Sequence, residues 1–171
     1  MNADVKTVFG FLDGRMIPYR KLEHAPAATM ADCAGVGAQL GATMAKNIFL
    51  TTKNGKRLYL CITRPEARFH TADISKQSGS SRLSFAPEAE LMRALHCRPG
   101  SASPMGLIFD AAHEVRLIVD AALRELPLLA FHPCDNTWSL AMSSDDFFGR
   151  FLPAVGVSPI WVEIHDFMEG A

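Results

Sequence analysis

Lys46 and Asn47 stand where an apolar run begins, in the stretch "GATMAKNIFLTTKNGKRLYLCI". A strand entering a core needs neither an ammonium nor an amide there, so the pair points to a ligand met at the strand's mouth. In "PGSASPMG", Gly100 and Pro104 bracket Ser101, Ala102 and Ser103. A loop of this kind can turn successive backbone N–H groups toward one point, as an anion nest or oxyanion hole. In "FHPCDNTWSL", His132 ends an apolar run and is stiffened by Pro133. Each place also has a plain reading: a solvated lysine, an ordinary turn, a hydrogen-bonded histidine at a strand end.

Other signals are missing from the sequence. It has no G-x-x-x-x-G-K-[ST] and no G-x-G-x-x-G after a strand, no H-E-x-x-H or paired Cys/His spacing for zinc, and no G-x-S-x-G elbow. Chemistry without metal or cofactor is expected, or plain binding. Cys134 lies two residues after His132, a spacing that would put both side chains on one face of an extended strand. That opens a cysteine-nucleophile reading, a small-molecule hydrolase inactivated by thiol reagents, although nothing nearby marks a lowered thiol pKa.

The elements that must position these residues are read from periodicity and punctuation. "DVKTVFGFLD" predicts a helix ended by Gly14, and "MIPYRKLEH" a strand that Pro18 places at an edge or a start. "TMADCAGVGAQLG" predicts a small-faced helix with Thr29 and Asp32 at cap spacing; it should pack close to something or move. "NIFLTT", "KNGK" and "RLYLCIT" predict a hairpin, with Asn54-Gly55 in a type I′ turn. A short helix over "TADISKQSG" and a short strand over "RLSFA" follow. In "PEAELMRALH", Pro87 is expected at the first helical position, with Leu91, Met92 and Leu95 on one stripe. "LIFD" and "VRLIVDA" are expected as strands around "AAHE", and "LLAFHP" and "TWSLAMS" as another extended pair around "CDN". A closing helix over "SSDDFFGRFLPAVG", capped by Ser143, and a strand over "PIWVEI" finish the chain. Strands and helices interleave irregularly, which argues for an α+β (mixed α/β) fold: one domain, residues 1–171, with a central mixed, largely antiparallel sheet surrounded by helices.

A chain of 171 residues suits one domain and buries a sizeable core without staples. Hydrophobic residues make up 49% and charged residues 20%, with a formal net charge of -1. Global charge therefore predicts neither a nucleic-acid nor a membrane partner, though a local basic patch is enough to bind a polyanion. No run approaches the roughly 18 apolar residues of a membrane span, and the N-terminus lacks the pattern of a signal peptide. Four scattered cysteines, Cys33, Cys61, Cys97 and Cys134, then read as reduced core thiols in a cytoplasmic protein.

Taken in order, "EHAPAATMADC", "AKNIFLTTKNGKRLYLCI", "RLSFAPEAEL", "PGSASPMGLIFD" and "FHPCDNTWSLAMSSDDF" resemble the YbaK/ProX family of free-standing aminoacyl-tRNA deacylases, related to the editing domain of bacterial prolyl-tRNA synthetases. The resemblance runs from about Tyr19 to Ile164 and is nearest to the alanyl-tRNA(Pro) deacylases. It implies hydrolysis of the ester joining a wrong amino acid to the tRNA 3′ adenosine, in trans, on the acceptor end of tRNA(Pro). By resemblance, the Gly100–Pro104 loop (Gly100, Ser101, Ala102, Ser103, Pro104) supplies backbone donors to the carbonyl oxygen. Lys46 matches the functionally important lysine, Asn47 meets ribose hydroxyls or the substrate amine, and His132 positions water or adenosine. Met30 is a candidate gate of a pocket that must admit alanine and shut out proline. Arg82, with Lys53, Lys56 and Arg57 on the hairpin, offers cations to acceptor-stem phosphates.

The chain departs from many relatives in having Cys134-Asp135 before Asn136-Thr137, which puts fine specificity in doubt. Three alternatives stay open beside the leading reading: a Cys-tRNA(Pro) or other small aminoacyl-tRNA deacylase, a non-catalytic relative that binds tRNA or a synthetase, and the cysteine hydrolase. No metal or cofactor is implied. Partners in passing would be prolyl-tRNA synthetase or an elongation factor, and the chain is expected to be a monomer with no membrane contact.

Overall fold

A computed structural model describes residues 1–165, in which the strands form two mixed sheets rather than one. The first sheet holds β1 (Arg20–Glu23), β2 (Thr43–Met44), β7 (Leu128–Phe131) and β8 (Trp138–Ser143) in the order β1-β8-β7-β2. The second holds β3 (Lys46–Thr52), β4 (Leu58–Thr63), β5 (Leu83–Phe85), β6 (Val115–Asp120) and β9 (Ile160–Val162) in the order β5-β3-β4-β6-β9. Pairings within β1-β8-β7 and β5-β3-β4 are antiparallel, and those of β2 with β7, β4 with β6 and β6 with β9 are parallel.

Strand periodicity assigns the cores. Alternate residues point to opposite faces, so Leu58, Leu60 and Ile62 of β4 and Val115, Leu117 and Val119 of β6 enter the main core. Leu129 and Phe131 of β7, with Leu140 and Met142 of β8, meet them from the first sheet. Helix α1 (Ala3–Gly14), helix α4 (Glu88–Leu95) and the closing helix at 144–154 contribute Leu12, Leu95, Phe147 and Phe151 to the same core. On the outer face of the second sheet, Tyr59, Cys61 and Ile118 pack under Ile74 of α3 (Thr71–Ser78). On the outer face of the first, Ala130 and Ala141 pack under Cys33, Val36 and Leu40 of α2 (Met30–Leu40).

Helix α2 carries the expected capping box, Thr29 Oγ1 accepting from Asp32 N–H while the Asp32 carboxylate accepts from Thr29 N–H. Its small face is used for close approach: a Cβ on Gly37 would sit 2.8 Å from the Ala42 carbonyl. The Ser143 cap also forms, its hydroxyl accepting from Asp146 N–H at 3.0 Å.

Several local expectations are corrected. Of Asn54 and Gly55 only Gly55 has positive φ (69°), so the hairpin turn is not type I′. Asn54 Oδ1 instead accepts from the Thr52 hydroxyl (2.8 Å) and the Lys56 N–H (3.0 Å), closing a longer loop. The expected strand at "LIFD" lies mostly in a 3₁₀ helix, Pro104–Phe109, started by Ser103, whose hydroxyl accepts from Met105 N–H at 3.1 Å. Pro87 is the N-cap of α4 rather than its first helical residue, and Met92 is exposed while Ala94 completes the buried stripe. Of the strand expected over "MIPYRKLEH" only Arg20–Glu23 is paired, at the edge of its sheet.

Candidate functional site

The chain passes from one sheet to the other across a single residue. β2 ends at Met44, Ala45 donates its N–H to the Ala130 carbonyl at 3.2 Å, and β3 starts at Lys46. A cleft of about 210 Å³ opens at this seam, lined by Ala27, Ala28, Thr29, Met30, Cys33, Met44, Ala45, Lys46, Asn47, Gly100, Ala102 and His132. That is below the roughly 300–1,000 Å³ of sites for drug-sized ligands, and much of its wall is alanine. The cleft is built for a small group. A wider depression of about 470 Å³ between Asp13 and Lys21 lies elsewhere. There burial and the Asp13 carboxylate, 2.9 Å from the Tyr19 hydroxyl, push the phenol up to about 12, which leaves it a poor proton donor.

Lys46 is half-buried, and its ammonium donates to the Ala67 carbonyl at 2.9 Å. An ammonium has three donors, so this bond fixes the head group and leaves donors for a ligand. Asn47 donates through Nδ2 to the Ala45 carbonyl at 3.1 Å. Its Oδ1 is buried and has no hydrogen-bond partner. A buried amide oxygen left unpaired costs about 1–3 kcal/mol, which makes it a place for an incoming N–H or O–H donor.

The loop from Gly100 to Pro104 is tied from beneath. The Ser101 hydroxyl donates within reach of the Arg98 carbonyl (2.7 Å) and the Cys134 carbonyl (3.1 Å), and Ser103 caps the 3₁₀ helix that Pro104 opens. Ser101, Ser103 and Pro104 are buried, so their side chains hold the loop rather than meet the cleft. Gly100 has φ of 79°, a conformation costly for residues with a Cβ. Gly100 and Ala102 line the cleft, and among the described residues neither backbone N–H is given to a protein acceptor.

His132 is 5% exposed at the end of β7. Its Nδ1 lies 2.9 Å from the Trp138 carbonyl, which can only accept, so Nδ1 carries the proton and Nε2 presents a lone pair. Burial holds its pKa below the ordinary histidine value, so the ring stays neutral. Nε2 approaches Cys33 Sγ at 3.8 Å at the cleft wall. Behind the ring the Ser139 hydroxyl lies 3.2 Å from His132 Nδ1 and 2.8 Å from His24 Nε2, while His24 Nδ1 lies 2.7 Å from the Ala25 carbonyl. His24 therefore carries its proton on Nδ1 and accepts from Ser139, and the three side chains form one hydrogen-bonded chain.

The expected pairing of Cys134 with His132 is corrected. Cys134 turns away with φ of 67°, and its thiol bonds the Leu95 carbonyl at 3.6 Å. Its pKa is raised well above the ordinary value by the hydrogen bond to Cys97 and by burial. The cysteine near His132 is Cys33, held protonated by burial and by Asp32. Sequence reading missed Cys33, His24 and Ser139 as neighbours of His132; the signal it offered was that His24 and Cys33 stand near the two ends of "EHAPAATMADC".

Lys46, Asn47, Met30, Gly100, Ala102 and His132 thus meet in one cleft. Arg82, Lys53, Lys56 and Arg57 do not reach it. They are exposed at the far end of β3, where Leu83 pairs with Thr52, about 20 Å along the strand from Lys46.

The model of the aminoacyl-tRNA editing domain matches residues 24–149. The prolyl-tRNA editing protein ProX of Acetoanaerobium sticklandii is 30% identical over 147 residues, 85% of this chain and 90% of that protein. The prolyl-tRNA synthetase associated domain-containing protein 1 of Xenopus laevis is 31% identical over 142 residues, 81% of this chain and 83% of that protein. Among solved structures, a candidate trans-editing enzyme for prolyl tRNA synthetase superposes with a TM-score of 0.72, covering 98% of this chain and 99% of its own. At 15% identity that likeness shows the fold.

Proposed function

Because the chain belongs to the aminoacyl-tRNA editing domain family, we propose that it is a hydrolase that deacylates mischarged alanyl-tRNA(Pro) in trans, residues 1–171 acting as one editing domain. The observation that carries this reading is the convergence of Lys46, Asn47, Gly100, Ala102 and His132 on one small cleft. An aminoacyl ester is already activated, so the protein must fix the ester, place a water and stabilise the tetrahedral oxyanion.

Each residue has a role that follows from its geometry. The loop amides of Gly100 and Ala102 donate to the oxyanion, and being held in a tied turn they need no reorganisation as charge develops. The unpaired Asn47 Oδ1 accepts from the α-ammonium of the amino acid or a ribose hydroxyl. The Lys46 ammonium, anchored on Ala67, holds the negative charge of the tRNA 3′ end. His132 Nε2 accepts a proton from the attacking water, with the Trp138 carbonyl fixing the ring's tautomer and Ser139 and His24 steadying its plane. The alanine-lined wall and Met30 form the sieve. A synthetase site built for proline cannot strongly exclude a group smaller by a few carbons, since each methylene discriminates by about 1–3 kcal/mol. A second site too small for proline restores the distinction. The basic hairpin and Arg82 take acceptor-stem phosphates, so a chain with a formal net charge of -1 still presents a local cationic surface.

The test is deacylation of tRNA(Pro) charged separately with alanine, cysteine, serine and proline. Alanine should be released fastest and proline spared. Lys46→Ala, checked for its fold, should lose about 10²–10³-fold in kcat. Cysteine or serine released faster than alanine would overturn the substrate, and no release of any amino acid would overturn the activity.

A further inference from the structure

Phe85 is 71% exposed on β5, the edge strand of the second sheet. It pairs with Leu50, and Lys46 and Leu50, four residues apart on β3, share a face of the sheet. Phe85 therefore stands on the Lys46 side of the sheet. Phe69, half-buried against the core beneath α3, brings its ring to 6.3 Å from that of Phe85 at an interplanar angle of 47°. A large apolar side chain left uncovered on an edge strand is a liability, because the edge is open to pairing with another chain. Position relative to the charges gives this one a use. Phe85 lies about 13 Å along β3 from Lys46, and the exposed Arg82, Lys56 and Arg57 lie beyond it at the same end of the strand.

We infer that the Phe85 face, backed by Phe69, is a stacking platform for the unpaired bases just before the 3′ adenosine of the tRNA. This inference rests on the proposed function and deepens it. Phe85 stands between the cleft and the hairpin on the Lys46 side of the sheet, and the cations at the far end match the charge of a nucleic-acid backbone. Single-strand sites combine aromatic faces with such cations, because every base has a π-face to stack. The contact is sequence-tolerant. It would hold any unpaired end at the right distance and leave base reading to other residues.

The experiment uses a labelled RNA hairpin ending in a four-nucleotide unpaired ACCA 3′ end and the same hairpin with a blunt end, titrated by fluorescence anisotropy. Phe85→Ala should weaken binding of the ACCA hairpin roughly 10-fold, leave the blunt hairpin unchanged, and keep the thermal midpoint of the wild type. Phe85→Trp should restore the affinity. Equal binding of the ACCA hairpin by wild type and Phe85→Ala would overturn the platform and leave Phe85 to a protein partner; so would an equal loss on both hairpins. Failure of the deacylase reading looks different: wild-type protein would release no amino acid, while the anisotropy comparison would still decide the platform.

Discussion

Lys46 and Lys53 are the same side chain at the two ends of β3, about 20 Å apart along the strand, and their surroundings are opposite. Lys46 is half-buried, tied to the Ala67 carbonyl, and faces a small alanine-walled cleft beside an unpaired amide oxygen. Lys53 is exposed on a loop with the equally exposed Lys56 and Arg57. Residue type does not separate the two lysines; anchoring does. A tied ammonium beside a dry wall acts through position, whereas a mobile one in water acts through charge, which salt screens.

The sharpest way to break this comparison keeps the charge and changes the shape. Lys46→Arg should lose about 100-fold or more in deacylation, because a planar guanidinium cannot keep the Ala67 bond and the same reach into the cleft. Lys53→Arg should leave kcat/KM within about 2-fold. Equal tolerance at both positions, measured on alanyl-tRNA(Pro), would show that Lys46 supplies only charge.

His132 belongs to the anchored end, and its protonation gives the next largest effect. Burial lowers its folded-state pKa below the ordinary value of 6.5, so Nε2 remains a usable base when an exposed histidine would be protonated. The acid limb of the pH–rate profile should therefore lie below pH 6.5, and His132→Gln should lose about 10²-fold in kcat and flatten that limb. Stability follows the same direction. The unfolded histidine takes up a proton near 6.5 and the folded one resists, so the contribution is fully present above that pH and is lost as pH falls toward the folded value. A limb centred at or above 6.5 would mean that Nε2 is not buried as described. Ser139→Ala should move the limb without abolishing activity, since Trp138 still fixes the tautomer.

Much of the fold was legible because its signals are local. The capping box of α2, the Ser143 cap, the hairpin strands and the outlying helices all rest on residues within a few positions of one another. The errors are also local in kind. Asn54 spends its carbonyl on Thr52 and Lys56 and so avoids the left-handed conformation that a type I′ turn requires. "LIFD" is a short apolar run that fits a strand or a helical turn equally well, and the Ser103 cap with Pro104 decided for the turn.

Two sheets instead of one could not be read from strand signals at all. The break falls at Ala45, where nothing in the sequence ends β2 and starts β3 on a different sheet. For the site, the family pattern supplied Lys46, Asn47, the loop and His132, yet it did not distinguish them from Arg82, which the fold places at the other end of β3. The partners of His132 come from 99 residues away in Cys33 and from β8 in Ser139. A contact across 99 residues leaves no periodicity to read, and the in-strand guess of Cys134 failed because the chain reverses there at positive φ.

Met30 tests the sieve at the anchored end. It is 43% exposed at the first residue of α2 and lines the cleft. Truncating it should widen the mouth without disturbing the core, so Met30→Ala should raise hydrolysis of prolyl-tRNA(Pro) about 10-fold relative to alanyl-tRNA(Pro). The ratio of the two kcat/KM values reads this directly. An unchanged ratio would move the sieve to the alanine wall formed by Ala27, Ala28 and Ala45.

The smallest expected effect is at the hairpin, and it differs in kind. Lys53→Ala and Lys56→Ala remove exposed charges from a loop whose turn is held by Asn54 and Thr52, so neither should change the fold or kcat. Each should raise KM for charged tRNA a few-fold at low salt. Each phosphate contact removed should also make the plot of log affinity against log salt shallower by roughly 0.9. A loss of kcat with an unchanged slope would place the hairpin in the chemistry and end the contrast between the two ends of β3. A shallower slope with kcat intact would show that one strand divides the labour, with fixed charge at the ester and screened charge along the stem.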